Sequence, residues 1–227
     1  MARTPVWLSW SSGKDSAWTL HALYQQSQLE VVALLTTLNS AYQRVAMHAV
    51  REELLERQAD ALGLPLIKIP LLWPCSNAAY EEAMAGALAQ ASRDGIRHIA
   101  FGDLFLEDIR RYREAKLAGT GIDPLFPLWQ LDTARLARTM VAAGLRAYLT
   151  CVDPKKLNPS FTGRLFDAKL LNELPPGVDP CGENGEFHTF AVAGPMFRHP
   201  LAVEPGEVVE RDGFVFADLR PHYLQSH

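Results

Sequence analysis

The chain has 227 residues and a mass of 25.2 kDa, with 22 basic against 26 acidic side chains and a formal charge of −4. Apolar residues make up 48% and charged residues 21%, which excludes global disorder; no apolar run approaches the roughly 20 residues of a spanning helix, which argues against a membrane protein. Without a Lys/Arg-rich block such a chain is a poor candidate for nucleic-acid binding, and with no leader pattern at Met1-Ala2-Arg3-Thr4 a cytoplasmic protein is expected.

Residues 6–10 read as a strand, followed by a helix from about 15 to 26 with Ala17, Leu20 and Leu23 inward. Residues 31–37 are nearly all apolar, as in a strand covered on both faces. Met47, Val50, Leu54 and Ala61 make a helical stripe that Gly63 and Pro65 end, and residues 66–69 form the next strand. Tyr80, Ala83, Met84, Ala87, Leu88 and Ala91 give an apolar helix face stopping near Gly95, ahead of a strand at 97–101. Helices near 106–118 and 132–143 and a strand at 147–152 complete the alternation. The pattern predicts an α/β fold with a doubly wound parallel sheet, whose ligands sit at the carboxyl ends of the strands. After about residue 153 the composition changes. Residues 174–182 carry three prolines and must be irregular, and Asp212-Gly213 between two apolar runs signals a hairpin. A smaller mixed α/β part is expected there, with residues 119–124 as the hinge and a division into residues 1–120 and 121–227.

Cys75, Cys151 and Cys181 are widely spaced with no CxxC pair, so neither a disulfide framework nor a structural zinc site is expected. The seven histidines show no ligand spacing. The sharpest local feature is Ser9-Trp10-Ser11-Ser12-Gly13-Lys14-Asp15-Ser16, between the first strand and the first helix. Small residues let the backbone approach a phosphate, amides at the helix start point toward it, and Lys14 adds a charge. A Walker A loop is excluded, because Leu8 stands where its first Gly belongs and Asp15 follows the Lys. Glu183 and Glu186, three apart in a Gly-containing loop, can hold Mg²⁺, orient an ammonium or act as a base; the plainer alternative is a solvated turn. Asp103 at a strand end suits ribose, Mg²⁺ or a nucleophile, with a helix cap as the rival. Tyr42, Arg44 and His48 are weaker cleft candidates, His188 reads as a surface histidine, and Arg110-Arg111-Tyr112-Arg113 reads as a solvated helix face.

Ser11–Ser16 resembles the pyrophosphate loop (PP-loop) of N-type ATP pyrophosphatases, S-G-G-x-D-S, with Ser12 in place of the first Gly. Three further segments extend the likeness: residues 36–48, residues 102–129 with Gly102-Asp103 and Glu107-Asp108, and Gly182-Glu183-Asn184-Gly185-Glu186-Phe187-His188-Thr189. Together they resemble the diphthine–ammonia ligase (diphthamide synthase) family over nearly the whole chain. The family's E-G-G-E-[FY]-E-T signature is kept except for Asn184 in place of Gly and His188 in place of Glu. The resemblance implies an adenine nucleotide alpha-hydrolase-like, Rossmann-like fold and an AMP-forming amide ligase. Its cofactors would be ATP and Mg²⁺, with Ser11, Ser12, Gly13, Lys14, Asp15, Ser16, Thr36, Gly102 and Asp103 binding the nucleotide and Asp15 the metal. Lys14, Asp15, Glu183 and Glu186 would carry the catalysis. Implied partners are ammonium, a small-molecule or protein-borne carboxylate (diphthine, a modified histidine of an elongation factor, or another) and a second copy of the chain in a homodimer. Two other readings stay open: a non-catalytic ATP/AMP sensor and a PP-loop tRNA-modifying enzyme.

Overall fold

The computed structural model describes residues 2–39, 44–45, 50–72 and 75–222. Its first part is a sheet of five parallel strands, β1 (Thr4–Ser9), β2 (Leu29–Asn39), β4 (Leu66–Leu71), β5 (His98–Ala100) and β6 (Asp123–Leu125), in the order β4-β2-β1-β5-β6. The short β3 (Arg44–Val45) pairs antiparallel with the end of β2. Side chains of β1 alternate between two cores, as period two requires. Val6 and Leu8 face one cluster with Leu20, Leu23 and Leu54; Trp7 faces the other with Ile99, Phe101 and Leu117. Helices α1 (Lys14–Tyr24) and α2 (Glu52–Leu62) cover the first side, with Ala17, Leu20 and Leu23 all buried. Gly63 ends α2 in the left-handed region at φ 66°, a conformation glycine adopts without steric cost. Helices α3 (Asn77–Arg93) and α4 (Glu107–Leu117) lie with the second cluster. Their packing is loose: of the apolar stripe read on α3, only Ala91 is buried.

The second part is a four-stranded antiparallel sheet in the order β8-β7-β10-β9, from β7 (Arg146–Val152), β8 (Phe187–Ala193), β9 (Val203–Arg211) and β10 (Phe214–Pro221). The β9–β10 hairpin turns at Asp212-Gly213, both at positive φ, as a two-residue primed turn demands. Helices α5 (Thr133–Ala142) and α6 (Ala168–Glu173) accompany this part, each capped by an Asp side chain, Asp132 and Asp167.

Three sequence expectations need correction. The strand at 147–152 does not complete the parallel sheet; β7 pairs antiparallel with β8 and β10. The stretch 119–124 is only partly hinge, because Asp123–Leu125 pairs parallel with β5 and belongs to the first sheet. The helical stripe begins later than read, at Glu52, and Met47 lies outside the described residues.

The two sheets share one core: the cluster that starts at Val6 and Leu8 runs on through Leu149, Phe187 and Phe190. Polar stitching crosses the same junction. Fully buried Gln58 accepts from Trp10 Nε1 at 3.0 Å and donates to the carbonyls of Ser12 at 2.9 Å and Ala191 at 2.6 Å, tying α2, the β1–α1 loop and β8 together. Gln58→Leu fills the volume but strands Trp10 Nε1 and takes one donor each from the Ala191 carbonyl and from the Ser12 carbonyl, which keeps Ala191 N. It should cost about 3 kcal/mol in urea unfolding, at about 1–3 kcal/mol per unsatisfied group. A loss under about 1 kcal/mol would mean that water replaces the amide.

Candidate active site

The loop between β1 and α1 is fixed from three directions. Ser12 adopts φ 70°, a left-handed conformation costly for a residue with a Cβ. Its carbonyl is held by Ala191 N at 2.9 Å as well as by Gln58. Gly13 caps α1 in extended conformation, and Ser16 Oγ donates back to the Gly13 carbonyl at 3.0 Å. Ser11 Oγ and Ser16 Oγ lie 3.3 Å apart. The first helical amide, Lys14 N, donates to Thr189 Oγ1 on β8 at 3.0 Å. The start of α1 is therefore set by the C-terminal sheet.

Lys14 departs from the expected phosphate contact. Its side chain is 2% exposed and turned away, into the loop 179–187. The ammonium meets both Asp15 carboxylate oxygens, at 3.0 and 2.8 Å, donates to the Cys181 carbonyl, and lies 5.6 and 5.4 Å from the ring centroids of Phe166 and Phe187. Burial works against its charge. The Asp15 carboxylate, with Cys181 and Glu183 further out, outweighs that burial and raises the Lys14 pKa above its ordinary value. Cation–aromatic contact and a carboxylate together make this a stable seat for a buried ammonium.

The two glutamates of the loop differ in role. Glu186 is 3% exposed; its Oε1 accepts from Asp179 N at 3.0 Å and Asn184 Nδ2 at 3.3 Å, which shapes the loop, while its Oε2 is buried without a protein partner. Asp179 in turn accepts from the amides of Cys181 and Glu183. Glu183 reaches across to the parallel-sheet part, where its Oε1 accepts from Leu104 N at 2.8 Å. Burial, then the neighbouring Asp15 and Asp103 charges, push the Glu183 carboxyl up to about 7, against the opposing pull of the Leu104 amide and Lys14.

Gly102 packs where β5 meets α1: a Cβ there would stand 3.1 Å from the Asp15 carbonyl carbon and from Thr19 Oγ1. Asp103 is clamped in two-pronged fashion by Arg113, at 2.5 and 3.1 Å, and Arg113 stacks on Phe101. The arginine cluster is thus only partly a solvated face. Arg111 is exposed beside Glu107, while Arg110 sits over the rings of Phe126 and Trp129. Tyr42 and His48 lie outside the described residues, and Arg44 is described only as part of β3.

A cavity of about 1040 Å³ runs from the carboxyl ends of β1 and β2 along α3 and α4; of the site residues read from the sequence, Ser11 and Thr36 line it, while Ser12, Gly13, Lys14, Asp15, Ser16, Gly102, Asp103, Glu183 and Glu186 do not. Ser9 and Ser11 line it from the loop, Thr36 and Thr37 from β2, Met84 and Leu88 from α3, and Arg113 from α4. Among the described residues the Thr36 hydroxyl is buried without a hydrogen-bond partner, and Thr36 lines the cavity. His188 also lines this cavity and is no surface residue; it reaches the wall because β8 docks beside the β1–α1 loop. Neither His188 nor Arg113 was assigned to the site from sequence, and only the strand period around His188 carried a signal. Among the described residues no three His, Cys, Asp or Glu side chains are grouped to hold a metal. The three cysteines are free, and burial pushes the Cys151 thiol up to about 12 and Cys181 well above its ordinary value. No helix among the described residues is long and apolar enough to cross a membrane.

Comparison with known proteins matches both parts of the chain to one family. The model of the diphthamide synthase N-terminal domain matches residues 5–121, and that of its C-terminal domain residues 132–218. The diphthine–ammonia ligases of Bos taurus and Homo sapiens are each 28% identical over 203 residues, covering 82% of this chain and 74% of theirs. That of Danio rerio is 28% identical over 237 residues, covering 92% of this chain and 90% of its own.

The raised Glu183 carboxyl has a stability consequence. A folded-state pKa above the ordinary 4.5 means that the neutral form is favoured in the fold. That contribution is fully present below about 4.5 and is lost as pH rises toward about 7. Glu183→Gln, neutral throughout, should gain in melting temperature relative to the parent across this window. A difference that stays flat with pH would show that Glu183 ionises as an ordinary glutamate.

Proposed function

The chain belongs to the diphthamide synthase family, and from that premise we propose that it is an ATP-dependent amide ligase joining ammonia to the carboxylate of diphthine. The observation that carries the reading is the β1–α1 loop at the mouth of the 1040 Å³ cavity, with the unpartnered Thr36 hydroxyl beside it. Parallel sheets bind ligands at this end, and the loop offers serine hydroxyls and helix-start amides to phosphate oxygens.

In this reading residues 1–120, together with β6, bind ATP, and the remainder presents the acceptor. The acceptor carboxylate attacks the α-phosphorus, pyrophosphate leaves, and ammonia then displaces AMP from the acyl-adenylate. Ser11, Ser12, Gly13 and Ser16 stabilise the charge that grows on the departing pyrophosphate. Lys14 acts as a positioning residue, since its ammonium is committed to Asp15 and the Cys181 carbonyl. Mg²⁺ fits Asp15: magnesium is commonly held by one or two carboxylates plus substrate phosphates, and the Asp15 side chain keeps 26% exposure. Bound there, it would neutralise charge on the phosphates.

In this reading Glu183 handles ammonium. It lies in a field of carboxylates with Asp15 and Asp103, and its pKa near 7 suits a base that removes a proton at neutral pH. Glu186 holds the loop that carries it. The acceptor end of the cavity differs from the family signature at His188, which favours a second reading in which another carboxylate is amidated.

Incubation with ATP, Mg²⁺, ammonium and a diphthine-bearing protein should yield AMP and pyrophosphate with one amide formed per ATP. ADP as product would overturn the mechanism, and AMP formed only with a metabolite pool would support the second acceptor. Asp15→Asn should lower AMP formation by at least about 100-fold in a folded protein. Glu183→Gln should lose about 10²–10⁴-fold at saturating ammonium and with it the rise in rate through pH 7. If that limb survives in Glu183→Gln, the base is another group.

A further inference from the structure

A second cavity, of about 420 Å³, lies at the far end of β8, and shares no lining residue with the large one. Val192, Leu165 and Leu201 make an apolar floor, and Arg146, Arg198 and His199 stand at its rim. The lining contains no acidic residue, although the chain as a whole carries an excess of four negative charges. Among the described residues Arg146 has no carboxylate within ion-pair distance. Arg198 is anchored through backbone alone: its amide donates to the Ala61 carbonyl at 2.8 Å, and its Nη2 lies 3.4 Å from the Gly63 carbonyl. That anchorage fixes one guanidinium at the end of α2, with no carboxylate within ion-pair distance among the described residues.

We infer that this cavity binds a small organic anion, a carboxylate or phosphate head on an apolar body. Guanidinium groups pair with such heads through planar, two-pronged hydrogen bonds. The floor rewards burial of an apolar body and offers nothing to a fully hydrated inorganic ion. The volume falls within the range of small-molecule sites, about 300–1,000 Å³. The site is independent of the ligase reading, because β8 turns His188 to the large cavity and Val192 and Ala193 to the small one.

The probe is phenyl phosphate, titrated calorimetrically into the full chain and into two variants. Saturable binding is expected, weakened about tenfold or more in Arg146→Gln, equivalent to about 1.4 kcal/mol, and unchanged in Thr36→Val, whose lesion lies in the large cavity. Inorganic phosphate should bind more weakly than phenyl phosphate. Arg146 is exposed, so its replacement should leave the fold intact. Absence of saturable binding, equal affinity in Arg146→Gln, loss in Thr36→Val, or inorganic phosphate binding as tightly as the ester would each overturn the assignment.

Discussion

The buried ammonium of Lys14 is the interaction on which the rest of this structure depends. An unpaired charge at 2% exposure would be prohibitive, so the chain must bring a carboxylate, a carbonyl and aromatic faces to it at once. Asp15 is its sequence neighbour, but Cys181, Phe166 and Phe187 come from the distant C-terminal part. The β1–α1 loop therefore reaches its shape only when the antiparallel sheet is docked. Thr189 on the first amide of α1 and Ala191 on the Ser12 carbonyl enforce the same condition. Two parts that look separable by topology are coupled at the β1–α1 loop.

This coupling also explains Ser12. A residue with a Cβ at φ 70° carries strain that a glycine would avoid. The strain is tolerated because Gln58 and Ala191 both hold the Ser12 carbonyl, over-determining the backbone from two sides. A loop backbone held this firmly needs little reorganisation when a ligand meets it.

Features that depend on consecutive residues were legible in the sequence. The loop at 11–16 could be read because its small residues, Lys and Asp stand side by side between a strand and a helix. The apolar runs gave most strands, and the Asp212-Gly213 turn gave the last hairpin. Sheet membership was less legible: residues 146–152 have the same local pattern in a parallel or an antiparallel sheet, and only their partners decide. β6 escaped notice since a three-residue strand containing Pro124, just after two glycines, carries turn chemistry. Within the site, the Arg113–Asp103 clamp, Gln58 and the cavity-facing His188 rest on tertiary contacts that no local spacing encodes. The groups that turn the Lys14 ammonium inward, the Cys181 carbonyl and the Phe166 and Phe187 rings, lie more than 150 positions away, beyond any local spacing.

The apolar stripe of α3 brings these points together. Its spacing belongs to a core-facing helix, yet Met84 and Leu88 line the cavity, and the helix buries little besides Ala91. Part of this apolar face is left to the cavity, where it sits beside polar groups of α3 and α4, Tyr80, Glu81, Tyr112, Arg113 and Lys116. Burial lets Glu183 keep a proton up to about neutral pH, whereas Glu186, in the same short motif, is fixed by amides as a loop support. Two glutamates three residues apart are thus separated in role by their surroundings alone.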